Sequence, residues 1–145
     1  YYNRALVYDQ IRDFNAALKD YNTVIKLNPK HSSAYNNRGI LQSKFKDYSA
    51  AIRDFSRAIE ITPNFASPYS NRGIAKSKVN DHEGAIEDYS KSIEIEPKQS
   101  NVYYFRGLAK KESGQLNSAR EDFSPSFSPL KLLTFWPRKF ISLTP

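Results

Sequence analysis

The chain of 145 residues holds no cysteine. A disulfide framework, a thiolate zinc cluster and a thiol nucleophile are therefore excluded, and the redox compartment is left open. Histidine is scarce: His31 and His82 are the only two, and neither has a nucleophile or a metal-ligand partner at a usable spacing. The five glycines stand apart, so no glycine-rich phosphate loop is present. No stretch approaches the roughly 20 apolar residues that a membrane-spanning helix needs, and no signal-peptide pattern opens the chain. These absences leave no catalytic residue, metal or cofactor to expect. The cytoplasm is the default compartment.

Methionine is absent as well, and Tyr1 already stands inside the pattern described below. The expectation is a fragment or processed product with further copies of that pattern upstream. Net charge is +7. Lys131, Arg138 and Lys139 supply three of those charges. The remainder is spread thinly and reads as a solvated basic face. No Lys/Arg cluster with interleaved aromatics of the kind an RNA reader uses is found, so neither nucleic acid nor membrane is an expected partner.

What the chain does have is a period of 34 residues. Asn3-Arg4-Ala5, Asn37-Arg38-Gly39 and Asn71-Arg72-Gly73 recur at that interval, and Phe105-Arg106-Gly107 follows. Ala17, Ala51, Ala85 and Ala119 keep the same spacing, as do Tyr21, Phe55, Tyr89 and Phe123. Pro29, Pro63 and Pro97 close three copies. A fixed period of this length means stacked supersecondary units, none of which buries its apolar face alone.

Each unit reads as two helices. In the second copy Tyr35 to Lys46 carries one apolar stripe, and Tyr48 to Ile61 carries Ala51, Ile52, Phe55, Ala58 and Ile59 at spacings of three and four. A polar corner at Phe45-Lys46-Asp47-Tyr48 joins them, and Thr62-Pro63 ends the second, because proline pushes its predecessor out of the α region. Gly39, Gly73 and Gly107 sit mid-helix, where glycine costs about 1 kcal/mol against alanine. That cost implies close approach of a neighbour, with the recurring alanines facing it and the aromatic of each copy filling the wider part. The resulting fixed rotation per unit would accumulate into a right-handed superhelix.

Small, small, aromatic and proline at these offsets within a helix-turn-helix of 34 residues resemble the tetratricopeptide repeat (TPR). Tyr1, Tyr35, Tyr69 and Tyr103 stand where that family usually has tryptophan or another aromatic. The pentatricopeptide RNA-binding repeats are the near neighbour, but their period is usually about 35 and their base-reading positions are not found. The resemblance implies an all-α, right-handed α-solenoid of antiparallel helix-turn-helix units, the last one incomplete. The expected copies are 1–31, 32–65, 66–99 and 100–123, followed by an irregular apolar and basic tail, 124–145.

Arg4, Arg38, Arg72 and Arg106 occupy a position that is more often leucine in that family. Sixteen residues on lie Asp20, Asp54, Asp88 and Asp122. In an antiparallel hairpin with a midway turn the two positions come level. The expectation is a structural Arg–Asp ion pair within or between repeats, against the alternative of a ladder of ligand-binding arginines.

The fourth copy fails early. Arg120 replaces the aliphatic seen as Leu18, Ile52 and Ile86, and Pro125 falls where a helix should continue. Leu130 to Pro145 has no repeat register. Three readings stand: a segment packed back over the last helix, a sticky end that binds a partner or a second copy, or an end from another reading frame or splice. A membrane-surface role for Phe135, Trp136, Arg138, Lys139 and Phe140 is the weakest of the alternatives.

The resemblance further implies that the first helix of each unit lines a concave groove. Asn3, Asn37 and Asn71 would then form a column, similar to the asparagine ladder of TPR superhelices, able to pair with a peptide backbone; local capping or hydration is the alternative. An aliphatic line of Leu6, Ile40, Ile74 and Leu108 would hold apolar anchors or merely pack adjacent helices. Lys44, Lys78 and Lys111 would give a basic edge or ordinary solvated lysines. The chaperone-tail clamp of some family members is not expected, since only Asn37 matches its residues; Tyr2, Leu6, Ser67 and Asn71 stand at the others. His82, at the corner position of Phe14, Tyr48 and Leu116, reads as a packed corner residue. The sequence therefore points to a non-enzymatic adaptor for a protein or peptide segment, extended or helical and with some acidic side chains. Self-association into a homo-oligomer through the C-terminal end is the alternative, and RNA binding a weaker one.

Overall fold

A computed structural model describes residues 1–124. Proline 125 and the rest of the tail, with all three readings of it, lie outside the described residues. Among the described residues eight helices follow one another: α1 Tyr2–Gln10, α2 Phe14–Leu27, α3 Ser32–Lys44, α4 Tyr48–Ile61, α5 Ala66–Lys78, α6 His82–Ile95, α7 Ser100–Glu112 and α8 Leu116–Asp122. Each odd-numbered helix packs on the even-numbered helix after it and on the one before it. In addition α3 reaches α5 and α5 reaches α7, and Asn37–Tyr2 and Lys44–Asp9 bonds tie α3 to α1, so the odd-numbered helices form one continuous row. The result is an all-α solenoid of stacked hairpins.

The chain rules that produce the hairpins are local. Asn28, Thr62 and Glu96 end α2, α4 and α6 in an extended conformation (ψ 84–90°), each just before a proline. The corners use a left-handed residue, Arg12 (φ 62°), Lys46 (φ 62°), Asn80 (φ 64°) or Gly114 (φ 83°). Asp13, Asp47 and Asp81 then cap the next helix, accepting from the backbone N–H three residues on.

The sequence places the first helix of the second copy at Tyr35 to Lys46, and the structure corrects both ends. The helix starts at Ser32 because His31 Nδ1 accepts from the Ala34 N–H at 3.2 Å, a cap supplied by histidine. It stops at Lys44 because Lys46 turns left-handed.

The core runs as a line of clusters. Ala5, Ala17, Tyr21, Val24, Ala34 and Leu41 form the first; Ala51, Phe55 and Ala75 the second; Ala85, Tyr89, Ile93, Val102 and Ala109 the third. Every cluster contains a residue from the following hairpin, which is why single units do not close their own cores. A Cβ at Gly39 would lie 2.7 Å from Phe55 Cε1, and one at Gly73 would lie 2.7 Å from Tyr89 Cε1. The ring needs the space that glycine leaves. Helix α8 has seven residues against fourteen in α2, α4 and α6, so the fourth hairpin is half covered among the described residues.

Candidate functional site: the row of first helices

Two systems of side chains run along α1, α3, α5 and α7. One ties the stack together. In all four hairpins the arginine Nε and Nη2 donate to both carboxylate oxygens of an aspartate on the paired helix, at 2.5–2.8 Å: Arg4–Asp20, Arg38–Asp54, Arg72–Asp88 and Arg106–Asp122. These are two-point bonds between a planar fork and a carboxylate, and the four aspartates are buried.

The remaining nitrogen, Nη1, reaches backwards across the hairpin boundary. Arg38 donates to Asn22 Oδ1 at 2.8 Å, Arg72 to Ser56 Oγ at 2.9 Å and Arg106 to Ser90 Oγ at 3.2 Å. Tyr35, Tyr69 and Tyr103 lie under the guanidinium groups at 5.5–5.8 Å. Arg38, Arg72 and Arg106 thus each bind their own hairpin and the preceding one.

In the last two hairpins a second cation joins: Lys76 Nζ reaches Asp88 and Lys110 Nζ reaches Asp122, both at 2.9 Å. Burial works to raise the Asp122 pKa, but hydrogen bonds from Arg106 and Lys110 outweigh it and hold the carboxyl below its ordinary range. The hydrogen bond from Arg4 likewise holds Asp20 low. Arg38, Arg72 and Arg106 have both ends of their forks occupied by the protein, which leaves little of the guanidinium for a ligand, whereas Arg4 holds Asp20 alone.

The second system is a chain of amides on α3 and α5 that reaches Tyr2 on α1. Asn3 is exposed, while Asn37 and Asn71 are half-buried. Asn71 Nδ2 donates to Asn36 Oδ1 at 3.1 Å, Asn36 Nδ2 to Asn37 Oδ1 at 3.2 Å, and Asn37 Nδ2 to Tyr2 Oη at 3.2 Å. The amides form a directed relay across three hairpins, with buried Asn36 as its junction. Asn3 takes no part in it. Asn36 lies outside the asparagine column expected from the repeat, because its position holds Tyr2, Ser70 and Tyr104 in the other copies. In the fourth hairpin the asparagine gives way to aromatics: Phe105 stacks on Tyr89 (centroids 6.2 Å) and touches Tyr104 at 6.0 Å.

Leu6, Ile40, Ile74 and Leu108 are half-buried. Ile40 packs on the second core cluster and Ile74 on the third, so part of this line is core. Lys44 is engaged: its Nζ lies 2.6 Å from Asp9 Oδ1 and 4.5 Å from the Phe14 ring centroid. Lys78 and Lys111 are exposed and make no ion pair among the described residues. His82 starts α6 half-buried, and its Nδ1 has no hydrogen-bond partner among the described residues. No group of three or more His, Asp or Glu residues comes together as a metal site among the described residues. No described helix is long and apolar enough to cross a membrane.

Fold and side-chain pattern define a class, the α-solenoids of helical hairpins. Sequence models of the tetratricopeptide repeat match residues 1–31, 32–65 and 66–99, and the chain belongs to that family. No curated protein matches it significantly. Among solved structures it is similar to MamA (TM-score 0.84, 24% identity, covering 93% of this chain and 79% of that one). It is also similar to the first TPR of Spaghetti (RPAP3) bound to the HSP90 peptide SRMEEVD (TM-score 0.72, 22% identity, 80% and 90% covered). The second TPR of the same protein, bound to the same peptide, gives a TM-score of 0.63 at 29% identity, with 66% and 89% covered.

Proposed function

We propose that this chain is a non-enzymatic protein-interaction scaffold that takes a peptide segment, extended or helical, along the row formed by α1, α3, α5 and α7. The observation that carries the reading is the amide relay. Tyr2 Oη accepts from Asn37, so its own proton is left to donate, while Asn71 Oδ1 at the opposite end accepts no hydrogen bond among the described residues. A donor at one end and an acceptor at the other suit a peptide backbone, whose N–H and C=O groups need partners whatever its side chains. Ile40 and Ile74 offer shallow apolar contact beside it. Lys78 and Lys111 favour acidic side chains on the bound segment, Lys44 being largely neutralised by Asp9.

Peptide-bound relatives in the same family support a peptide as the ligand class. A C-terminal carboxylate is not the proposed ligand here, because Tyr2, Leu6, Ser67 and Asn71 stand where such a clamp needs cations and amides.

The test is affinity capture with the intact chain, read by quantitative mass spectrometry against the Asn37→Ala/Asn71→Ala double variant. Captured partners should fall at least several-fold while the circular dichroism melt stays cooperative. An unchanged partner set with a folded variant would remove the relay from binding.

A further inference from the structure

Where α1 meets α3, beside the donor end of the amide relay, the polar groups do not close on one another. Tyr21 is 0% exposed, and its Oη has no hydrogen-bond partner among the described residues. A buried hydroxyl left unpaired forfeits the bonds that water would give it, so it points to a group that completes the site. The other hairpins carry no such orphan at this position. Phe55 and Phe123 have no hydroxyl there, and Tyr89 Oη stands 3.5 Å from Ser77 Oγ. Around the Tyr21 phenol stand Tyr2, with ring centroids 6.1 Å apart, and Asn37 and Asp9, which act on it without closing a hydrogen bond. Asp9 Oδ1 holds Lys44 Nζ at 2.6 Å, while its Oδ2 accepts nothing among the described residues. That carboxylate belongs to this joint alone, since its position holds Ser43, Ser77 and Lys111 in the other copies.

The notch therefore has two hydroxyl protons to give, from Tyr21 and Tyr2, and one carboxylate oxygen to receive. Asp9 opposes a carboxylate ligand, and an ammonium ligand would compete with Lys44 for a charge already neutralised. A backbone amide is a poor match, because its trans geometry sends C=O and N–H in opposite directions. A primary carboxamide carries an acceptor and a donor on one edge. We propose that the α1–α3 notch is a subsite for an Asn or Gln side chain of the bound segment, its carbonyl accepting from Tyr21 and Tyr2 and its NH2 donating to Asp9. The subsite rests on the groove reading above and deepens it. It narrows the Tyr2 end of the relay to a side-chain carbonyl and leaves the Asn71 end to the backbone. Reaching Tyr21 requires side-chain rotation at the half-buried Tyr2 and Asn37, a rearrangement common on binding.

The probe is a random peptide library displayed on phage and selected on the intact chain, with enriched sequences remade as fluorescein-labelled peptides and titrated by anisotropy. Asn or Gln should be fixed at one peptide position, and exchanging it for Asp or Glu should weaken binding about tenfold. Tyr21→Phe is the decisive variant, because Phe55 and Phe123 already place that ring in the fold. It should weaken the amide peptide by a similar factor and leave the acid-substituted peptide unchanged, whereas Asn71→Ala should weaken both alike. Enriched peptides with no fixed amide, or an amide peptide indifferent to Tyr21→Phe, would overturn the subsite and leave the groove reading standing. Equal weakening of both peptides by Tyr21→Phe would reduce the hydroxyl to a packing role and overturn it too. A selection that yields no saturable peptide at all would end the groove reading, and the subsite with it.

Discussion

Arg38 and Asn37 are adjacent in α3, yet they belong to parts of the molecule that obey different rules. Around Arg38 every copy repeats arginine, aspartate sixteen residues later and tyrosine beneath, and the last three add a polar acceptor on the preceding hairpin. Around Asn37 the copies diverge, the adjoining position reading Tyr2, Asn36, Ser70 and Tyr104 and the asparagine itself giving way to Phe105 in the fourth. Where a residue serves stacking, each unit meets the same neighbour and needs the same side chain. Where a residue is not held by stacking, the units are free to differ. The comparison separates structural repetition from the surface proposed above to select a partner.

Asp54→Ala is the severest way to break that division. It strands the mostly buried Arg38 guanidinium without its carboxylate, at a cost on the order of 3 kcal/mol. Urea melts should show the loss, and a double-mutant cycle with Arg38→Ala should return a large coupling; additive losses would refute the pairing as a stabilising unit.

Alkaline titration gives a smaller effect from the same packed side. Burial, the leading cause, pushes the Tyr21 and Tyr89 phenols up to about 12, against lowering contributions from Asn37 and Ser77. The folded value lies above the unfolded one of 10.0, so this contribution is complete below pH 10 and is lost as the pH rises towards 12. Thermal melts across that window should fall, and Tyr21→Phe should flatten the slope.

Least affected is Lys44→Ala, which removes a solvent-facing pair with Asp9 and should cost less than about 1 kcal/mol in the same urea assay. A loss as large as that of Asp54→Ala would erase the distinction between the two sides.

The stacking side was open to reading from the chain because it is periodic. The sixteen-residue interval between arginine and aspartate recurs unchanged, and two points on one hairpin at that interval have to come level. The backward bonds of the arginines escaped notice although Asn22, Ser56 and Ser90 also lie sixteen residues from their donors. The acceptor changes identity there, and a search for repeated letters passes over a repeated chemistry. The relay through Asn36 and the Lys44–Asp9 pair run diagonally between copies, at an interval of 35. Only the angle at which neighbouring helices cross brings those residues together, and no single copy encodes it. The helix start at His31 was missed for a simpler reason: imidazole is a rare cap, and the usual signs are Ser, Thr, Asp and Asn.

The backward-reaching guanidinium also bears on how such a chain can change length. Asn22, Ser56 and Ser90 all satisfy the same nitrogen, so the joint between any two units is interchangeable in kind. Were residues 32–65 excised, Arg72 would meet Asn22 in place of Ser56 and the seam would close with no orphaned donor. Duplication or loss of a whole hairpin therefore leaves every joint chemically whole, and the array can gain or shed modules in one genetic step.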